Sequence, residues 1–379
     1  MAAAQFNILE VCFSRSQGGL ELYMANISRA LQVAGQRVAA VVPRESFLEQ
    51  RLQEFQIFTY PVTPGRRYLD FRAAKQVANI LQEGEIDIIH AHQSADLSTL
   101  ILAAKWARRG RLVFHQQMES NRKKKDIFHR WVYRNLSGVI AITDRVKEQI
   151  IKNTCIAPQK VFRLYYGIDT SRWKPDENQR QRARATYRVS EEDIAVGIVG
   201  RLEEGKGQHI LLQAVSRLNE YRHRVKILYI GGETYGQSGY LDYLKNLARQ
   251  LNLEDRVIFT GFQKDVAAVS AALDIVVLGS KKETFGLSLI ETMAQNIAAI
   301  GTDAGGVREI IAHEENGLLV APHNAEALAD ALRRLIGDPA LRERLARNAR
   351  QTVLTKFSLE KHLNQLGEIF QRVAEFPET

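Results

Sequence analysis

The chain has 379 residues, 45% apolar and 25% charged, with a net charge of +9. That length is too great for one ordinary core and suits two domains of a globular protein. No apolar run approaches the roughly 20 residues that cross a bilayer, no basic, apolar leader opens the chain, and Cys12 and Cys155 show no metal or disulfide spacing. A cytoplasmic protein with reduced thiols is expected.

The first half alternates short apolar runs with helical stretches. Asn7–Phe13 reads as a buried strand that includes Cys12. Gly18-Gly19 break the chain, and 20–35 has helical spacing. Val38–Val42, Ile57–Val62, Ile86–His90, Arg111–Phe114 and Gly138–Ile142 are further strands, with a helix over 71–84. The polar, glycine- and proline-bearing stretch 166–175 reads as a hinge between domains. A second series follows, with strands at Ala195–Val199, Lys226–Ile230, Val257–Thr260, Ile275–Leu278, Ala298–Ile300 and Gly317–Val320. Amphipathic helices are expected over 325–335 and 358–374. Such alternation implies two parallel α/β sheets, whose ligands bind beyond the carboxyl ends of the strands.

Two segments at such ends carry chemistry. Gly200-Arg-Leu-Glu-Glu-Gly205-Lys206-Gly207 follows a strand and opens a helix. It nearly spells a nucleotide-hydrolase phosphate loop, but Gly207 stands where a magnesium-binding Ser or Thr is required, which argues against an ATPase or GTPase. A helix start with Arg201 and Lys206 still suits an anion; the alternative is a surface turn with stray charges. Glu283-Thr284-Phe285-Gly286-Leu287 leads into a helix whose apolar run is interrupted by Glu291. A carboxylate there needs a partner, either a ribose diol or an internal salt bridge.

Other positions are less specific. Gly18-Gly19 suits either a substrate-approaching loop or a plain turn. His90 and His92 sit two apart on a strand, with no third metal ligand in view. His115, after its strand, suits a substrate contact or a structural hydrogen bond. Gly231-Gly232, and Gly261 with Phe262, end further strands; Phe262 suits a base or a core.

Charge is unevenly placed. Residues 1–170 hold 24 Lys and Arg against 15 Asp and Glu, so the whole +9 belongs to the first half. Its peaks are Arg66-Arg67, Arg108 to Arg111, and Arg122 to Lys125 with Arg130 and Arg134. A solvated face is one reading; a face for anionic headgroups or a phosphorylated acceptor is the other. No aromatic-interleaved basic element suggests nucleic acid.

Together these residues resemble the retaining glycosyltransferases of family four, which have the GT-B architecture of two Rossmann-like domains facing across a cleft. The likeness runs through Gly18-Gly19, Asp87-Ile-Ile-His-Ala-His92, His115, Ile140-Ala-Ile-Thr143, Tyr166-Gly-Ile-Asp169, Gly200-Arg-Leu with Lys206-Gly207, Glu283 to Glu291, and Gly305-Gly306-Val-Arg-Glu309. Tyr166 departs from the Asn frequent there in the family. The resemblance implies an acceptor domain over 1–168, a nucleotide-sugar domain over 169–357, and a helix over 358–379 returning to the first. It implies that Arg201 and Lys206 bind the diphosphate, that Glu291 binds the ribose, and that Glu283 touches the donor sugar. The backbone from Thr284 through Phe285 and Gly286 to Leu287 would line the site, Gly18 and Gly19 would close over the diphosphate, and His115 would stand near the sugar. Glu283, His115, Arg201 and Lys206 are thus the expected catalytic set.

The resemblance further implies a nucleotide-diphosphate sugar, a UDP-sugar foremost, as donor, with no cofactor. The acceptor would be a saccharide or lipid-linked molecule of cell-envelope polysaccharide, lipopolysaccharide or glycolipid synthesis. The site would be used from the cytoplasmic face, where the basic first domain would touch an anionic membrane peripherally. No Asp-x-Asp pair occurs, so no metal is expected. An epimerase or phosphorylase on the same fold, or a non-catalytic nucleotide-sugar-binding protein, are the alternatives.

Overall fold

The computed structural model describes residues 5–66, 68–233 and 239–376; Arg67, one of the basic peaks, lies outside them. The chain divides into two units, one of Met1–Tyr165 with His362–Thr379, the other of Tyr166–Lys361.

The first unit holds β1 (Asn7–Val11), β2 (Arg37–Pro43), β3 (Phe58–Val62), β4 (Ile88–Ala91), β5 (Arg111–Gln116), β6 (Gly138–Ala141) and β7 (Val161–Arg163). They form one parallel sheet in the order β3-β2-β1-β4-β5-β6-β7. The order reverses between β1 and β4, which leaves a crevice beyond their carboxyl ends. β7 was not expected: three residues are too few to show a period, and only its pairing with β6 defines it.

The last helix, Leu359–Glu375, supplies Leu366, Ile369, Phe370 and Val373 to this unit's core, where they meet Ile8, Ile88, Val113 and Ile140. Their 0, 3, 4, 7 spacing puts all four on one helical face. Burying each stabilises by about 1.5–3 kcal/mol.

The second unit holds β8 (Ile194–Val199), β9 (Val225–Ile230), β10 (Val257–Gly261), β11 (Ile275–Leu278), β12 (Ala298–Thr302) and β13 (Leu318–Val320), ordered β10-β9-β8-β11-β12-β13 and parallel throughout. Here the reversal lies between β8 and β11, and Val196 and Gly197 pair with Ile275 and Val276. The segments that follow these two strands, 200–207 and 279–286, are therefore neighbours although nearly eighty residues apart in the chain. A helix the sequence reading passed over, Pro339–Lys356, starts with Asp338 accepting from Leu341 N at 2.9 Å and proline in its first turn. No helix among the described residues is long and apolar enough to cross a membrane.

Candidate functional site

In the second unit, two helices begin at the switch point without a side-chain cap. Gln208–Val215 starts from Gly207, and Leu287–Ala294 starts from Gly286. Elsewhere Asp176, Asp265, Asn324 and Asp338 cap their helices through side-chain oxygens. The first N–H groups of the two switch-point helices are thus open to an anion.

Close backbone approach explains the glycines. Gly207 has φ 77°, and a Cβ there would lie 2.4 Å from the carbonyl oxygen of Gly279. Lys281 N donates to Gly205 O at 3.2 Å and ties the two segments together. Gly305, at φ 58°, leaves room for the Glu283 carbonyl, from which a Cβ would stand only 2.1 Å away, and Gly306 N donates to the same oxygen at 2.9 Å. Gly305→Ala is expected to push that carbonyl aside and to cost about 1–3 kcal/mol in the second unit's unfolding free energy. Gly19→Ala, whose new Cβ meets nothing within 4 Å, should change almost nothing. Denaturant unfolding of the two variants checks this pair of expectations.

The backbone so held brings Lys206 and Glu283 together. Lys206 Nζ lies 2.9 Å from Glu283 Oε2, and Ser280 Oγ donates to the same oxygen at 3.2 Å. Ser280 is fixed in turn by Thr302, whose hydroxyl donates to its carbonyl at 2.7 Å. Arg201 is exposed, with Glu203 3.5 Å away, and its carbonyl accepts from Gln208 Nε2 at 2.9 Å. Both cations thus stand against carboxylates of their own unit, a pairing that residue type alone did not reveal.

Glu291 is half-buried on the helix after Gly286. Burial pushes its carboxyl up to about 7, against the pull of the Arg172 charge. Among the described residues no hydrogen bond or close ion pair to it is formed, so the salt-bridge alternative finds no support. Phe285 turns its ring into the core, edge-on to Tyr166 and Phe357 at 5.3 and 5.7 Å, which leaves its backbone as the part available to a ligand. Thr284 and Leu287 are half-buried, whereas Phe262 is 80% exposed and forms no part of a core.

In the first unit, Gly18 is extended, and its N–H donates to Glu21 Oε2 at 2.9 Å. Ser14 Oγ holds the other oxygen of Glu21. The sequence reading missed this glutamate, which organises the glycine turn.

His115 belongs to a fully buried polar chain. Glu10 and His90 are register partners on β1 and β4. Glu10 binds His90 Nδ1 at 3.0 Å and His92 Nε2 at 2.5 Å. His90 Nε2 lies 3.2 Å from His115 Nδ1, and Gln117 Nε2 donates to His92 Nδ1 at 3.2 Å. Burial works against the Glu10 charge, but the two imidazoles bring the carboxyl down to about 2. Burial pushes His92 and His115 below the usual imidazole range, His92 against the opposing pull of Glu10. Sequence spacing showed no third ligand for His90 and His92; the fold supplies one in His115, with ligand atoms of all three within 4.8 Å. The glutamate bonds account for His90 and His92 without an ion. His115 itself is 0% exposed, which favours the structural of its two expected readings.

The chain extends outward from this cluster. Tyr23 lies edge-on to His115 at 4.9 Å and donates its hydroxyl to His362 Nε2 at 2.9 Å. His362 Nδ1 must carry the proton, because its partner at 2.6 Å is the Tyr165 carbonyl.

Comparison with known proteins agrees with this architecture. Residues 179–352 match the model of the glycosyl transferases group 1, and residues 17–172 match that of Glycosyltransferase Family 4. An uncharacterized glycosyltransferase of Methanocaldococcus jannaschii is 30% identical over 62% of this chain, an alignment that spans 59% of that relative's own length. An N-acetyl-alpha-D-glucosaminyl L-malate synthase of Bacillus anthracis is 26% identical over 89% of this chain and 86% of its own. A lipopolysaccharide core mannosyltransferase of Rhizobium leguminosarum is 28% identical over 65% and 68%. Among solved structures, Anabaena HepE in complex with UDP superposes with a TM-score of 0.82 at 25% identity, covering 97% of this chain and 100% of its own. Two parallel Rossmann-like units, the glycine-held loops at the second switch point and matches to both family models lead to one statement: the chain belongs to the family 4 glycosyltransferases and has the GT-B fold.

Proposed function

We propose that the chain is a retaining glycosyltransferase that moves a sugar from a nucleotide diphosphate, UDP foremost, to a saccharide or lipid-linked acceptor of cell-envelope polysaccharide, lipopolysaccharide or glycolipid synthesis. The observation that carries this is Glu291. It is a half-buried carboxylate that makes no hydrogen bond or close ion pair among the described residues, on the helix that starts uncapped from Gly286, while the neighbouring segment supplies a second uncapped helix start and Lys206, paired with Glu283. A ribose diol would satisfy the carboxylate, and a diphosphate would satisfy the cations and the helix N–H groups. HepE, one of the solved structures similar to this chain, was obtained in complex with UDP.

In this reading, breaking the sugar–phosphate bond places negative charge on the leaving diphosphate. Lys206 and Arg201 stabilise it without a bridging metal. Glu283 exchanges its lysine contact for hydroxyls of the donor sugar. The acceptor attacks on the face the diphosphate leaves, and a phosphate oxygen takes the acceptor's proton, so configuration is kept. His115 acts from beneath the surface by positioning. Phe262, exposed at the end of β10, is the candidate for the base. Exposed Met118 and Ile127 near exposed Lys123 and Lys125 support peripheral contact with the inner face of an anionic membrane.

The pH dependence of UDP binding tests the central assignment. Ribose hydroxyls donate to an ionised carboxylate, so affinity should be flat above about pH 7 and fall up to tenfold per unit below it. Without ligand the sign is opposite. A carboxyl raised from 4.5 to about 7 favours the folded state fully below 4.5, and that contribution is lost as pH rises through 7. Calorimetric titration of UDP into the protein and into Glu291→Gln checks this; a wild-type profile no steeper than that of the variant removes the ribose role. Product analysis with a panel of nucleotide sugars tests the reaction. Interconversion without acceptor means an epimerase, dependence on free phosphate means a phosphorylase, and binding without turnover means a non-catalytic protein.

A further inference from the structure

A cationic cleft lies in the first unit, beyond the carboxyl ends of β2 and β3. It encloses about 730 Å³, and Arg44, Thr63, Arg66, Arg72 and Gln76 line it. A smaller hollow of about 270 Å³ shares Gly65 and Arg66 with it and adds Arg15, from the turn after β1. The three strands that feed these loops are adjacent in the sheet, in the order β3-β2-β1. All four arginines are exposed. Among the described residues, none of their guanidinium groups makes an ion pair or a hydrogen bond.

The fold gives no stability reason for this charge. The single acid lining the larger cleft, Asp70, is already committed. Its Oδ2 accepts from Gly65 N at 2.6 Å and Arg66 N at 3.1 Å, and its Oδ1 caps the following helix through Ala73 N at 3.0 Å. These bonds hold its carboxyl below the usual range in spite of burial. The capped helix, Phe71–Glu83, has no acid in its first turn and carries Arg72 there. A cation at that end adds to the positive pole of the helix dipole and opposes it nowhere. Three unpaired guanidinium groups around a walled concavity, with a hydroxyl and an amide beside them, form a receptor for a phosphate or carboxylate carried on a polyol.

We propose that this cleft binds a phosphoryl group of the acceptor, with Arg44, Arg66 and Arg72 as its ligands and Thr63 and Gln76 toward neighbouring hydroxyls. The word acceptor rests on the transferase reading above; the anion site does not. The phosphoryl group could belong to a soluble phosphorylated sugar or to a lipid headgroup, and the same test separates them.

The full chain is titrated calorimetrically with inorganic phosphate and with glucose 1-phosphate, both in the presence of saturating UDP so that the site in the second unit is filled. Flotation with phosphatidylglycerol–phosphatidylcholine vesicles runs alongside. Arg44→Gln/Arg66→Gln/Arg72→Gln is expected to weaken both soluble ligands at least tenfold, to keep the wild-type UDP affinity, and to unfold at the wild-type temperature, since all three side chains are exposed. Lys206→Ala should show the reverse: weaker UDP binding with phosphate binding unchanged. Equal phosphate affinity in the triple variant and the wild type overturns the site. With soluble-ligand binding weakened, loss of vesicle binding as well assigns a lipid headgroup, and unchanged vesicle binding assigns a soluble phosphorylated sugar. Should the protein fail to bind UDP at all, the donor reading falls, while phosphate titration without UDP still decides the cleft.

Discussion

Lys206→Ala is expected to lower kcat for sugar transfer by about 10²–10³-fold while leaving the unfolding temperature nearly unchanged. The two readouts separate because the Lys206–Glu283 pair is partly open to solvent, with side-chain exposures of 24% and 18%. Exposed pairs of this kind contribute roughly 0–1 kcal/mol to folding, so a large kinetic loss cannot come from collapse of the loop. The bound diphosphate already carries negative charge, and the further charge this amine would meet develops as the glycosidic bond breaks. The loss should therefore fall on kcat more than on KM. Lys206→Arg keeps the charge but replaces a compact ammonium by a planar fork, and should recover only part of the rate. Steady-state kinetics on the three proteins with a UDP-sugar checks the order. A Lys206→Ala enzyme with wild-type kcat removes the ammonium from the leaving-group role.

Glu10→Ala is expected to be the most destabilising single substitution in the first unit, by about 3–5 kcal/mol. Its carboxylate is fully buried and holds His90 and His92 at once. Truncation leaves two buried imidazoles facing a void without their acceptor, and both the lost bonds and the cavity count against the fold. Glu10→Gln retains one acceptor oxygen and should cost less. The native protein should show the same dependence on acid. A carboxyl brought from 4.5 to about 2 adds stability that is present above 4.5 and is lost as pH falls toward 2. Hydrogen exchange at the amides of β1 and β4, measured from pH 7 down to about pH 3, reports both effects. Exchange in Glu10→Ala as slow as in the wild type would mean the carboxylate carries no structural role.

These two sites differ in how much of them the sequence showed. Around Lys206 the charged residues and glycines lie in short runs that follow apolar strands, so spacing brings out their types and places them at the carboxyl ends. What spacing could not show is that Lys206 meets Glu283, because that contact depends on β8 and β11 being adjacent across the reversal of strand order. The Glu10 cluster was almost invisible for the same reason carried further. His90 and His92 appear as a pair, but Glu10 is eighty residues away and His362 comes from the last helix, 339 residues from Tyr23. A glutamate inside Asn-Ile-Leu-Glu-Val was the one available hint: a buried strand tolerates a carboxylate only with a partner across the sheet. β7 left no mark because three residues show no alternation. The arginine cleft is a matter of topology as well, since three loops far apart in sequence meet where their strands end side by side.

The contact between Gly305-Gly306 and the Glu283-Thr284 backbone bears on attempts to exchange this loop between transferases. A Cβ at Gly306 would come within 2.2 Å of the Thr284 carbonyl, as one at Gly305 would of its neighbour. The two stretches are moulded to each other through main chain alone. A chimera that grafts residues 280–287 from another transferase without its matching glycine turn inherits a mismatched cast. The two segments travel as one cassette, in which side chains can be exchanged but loop length cannot.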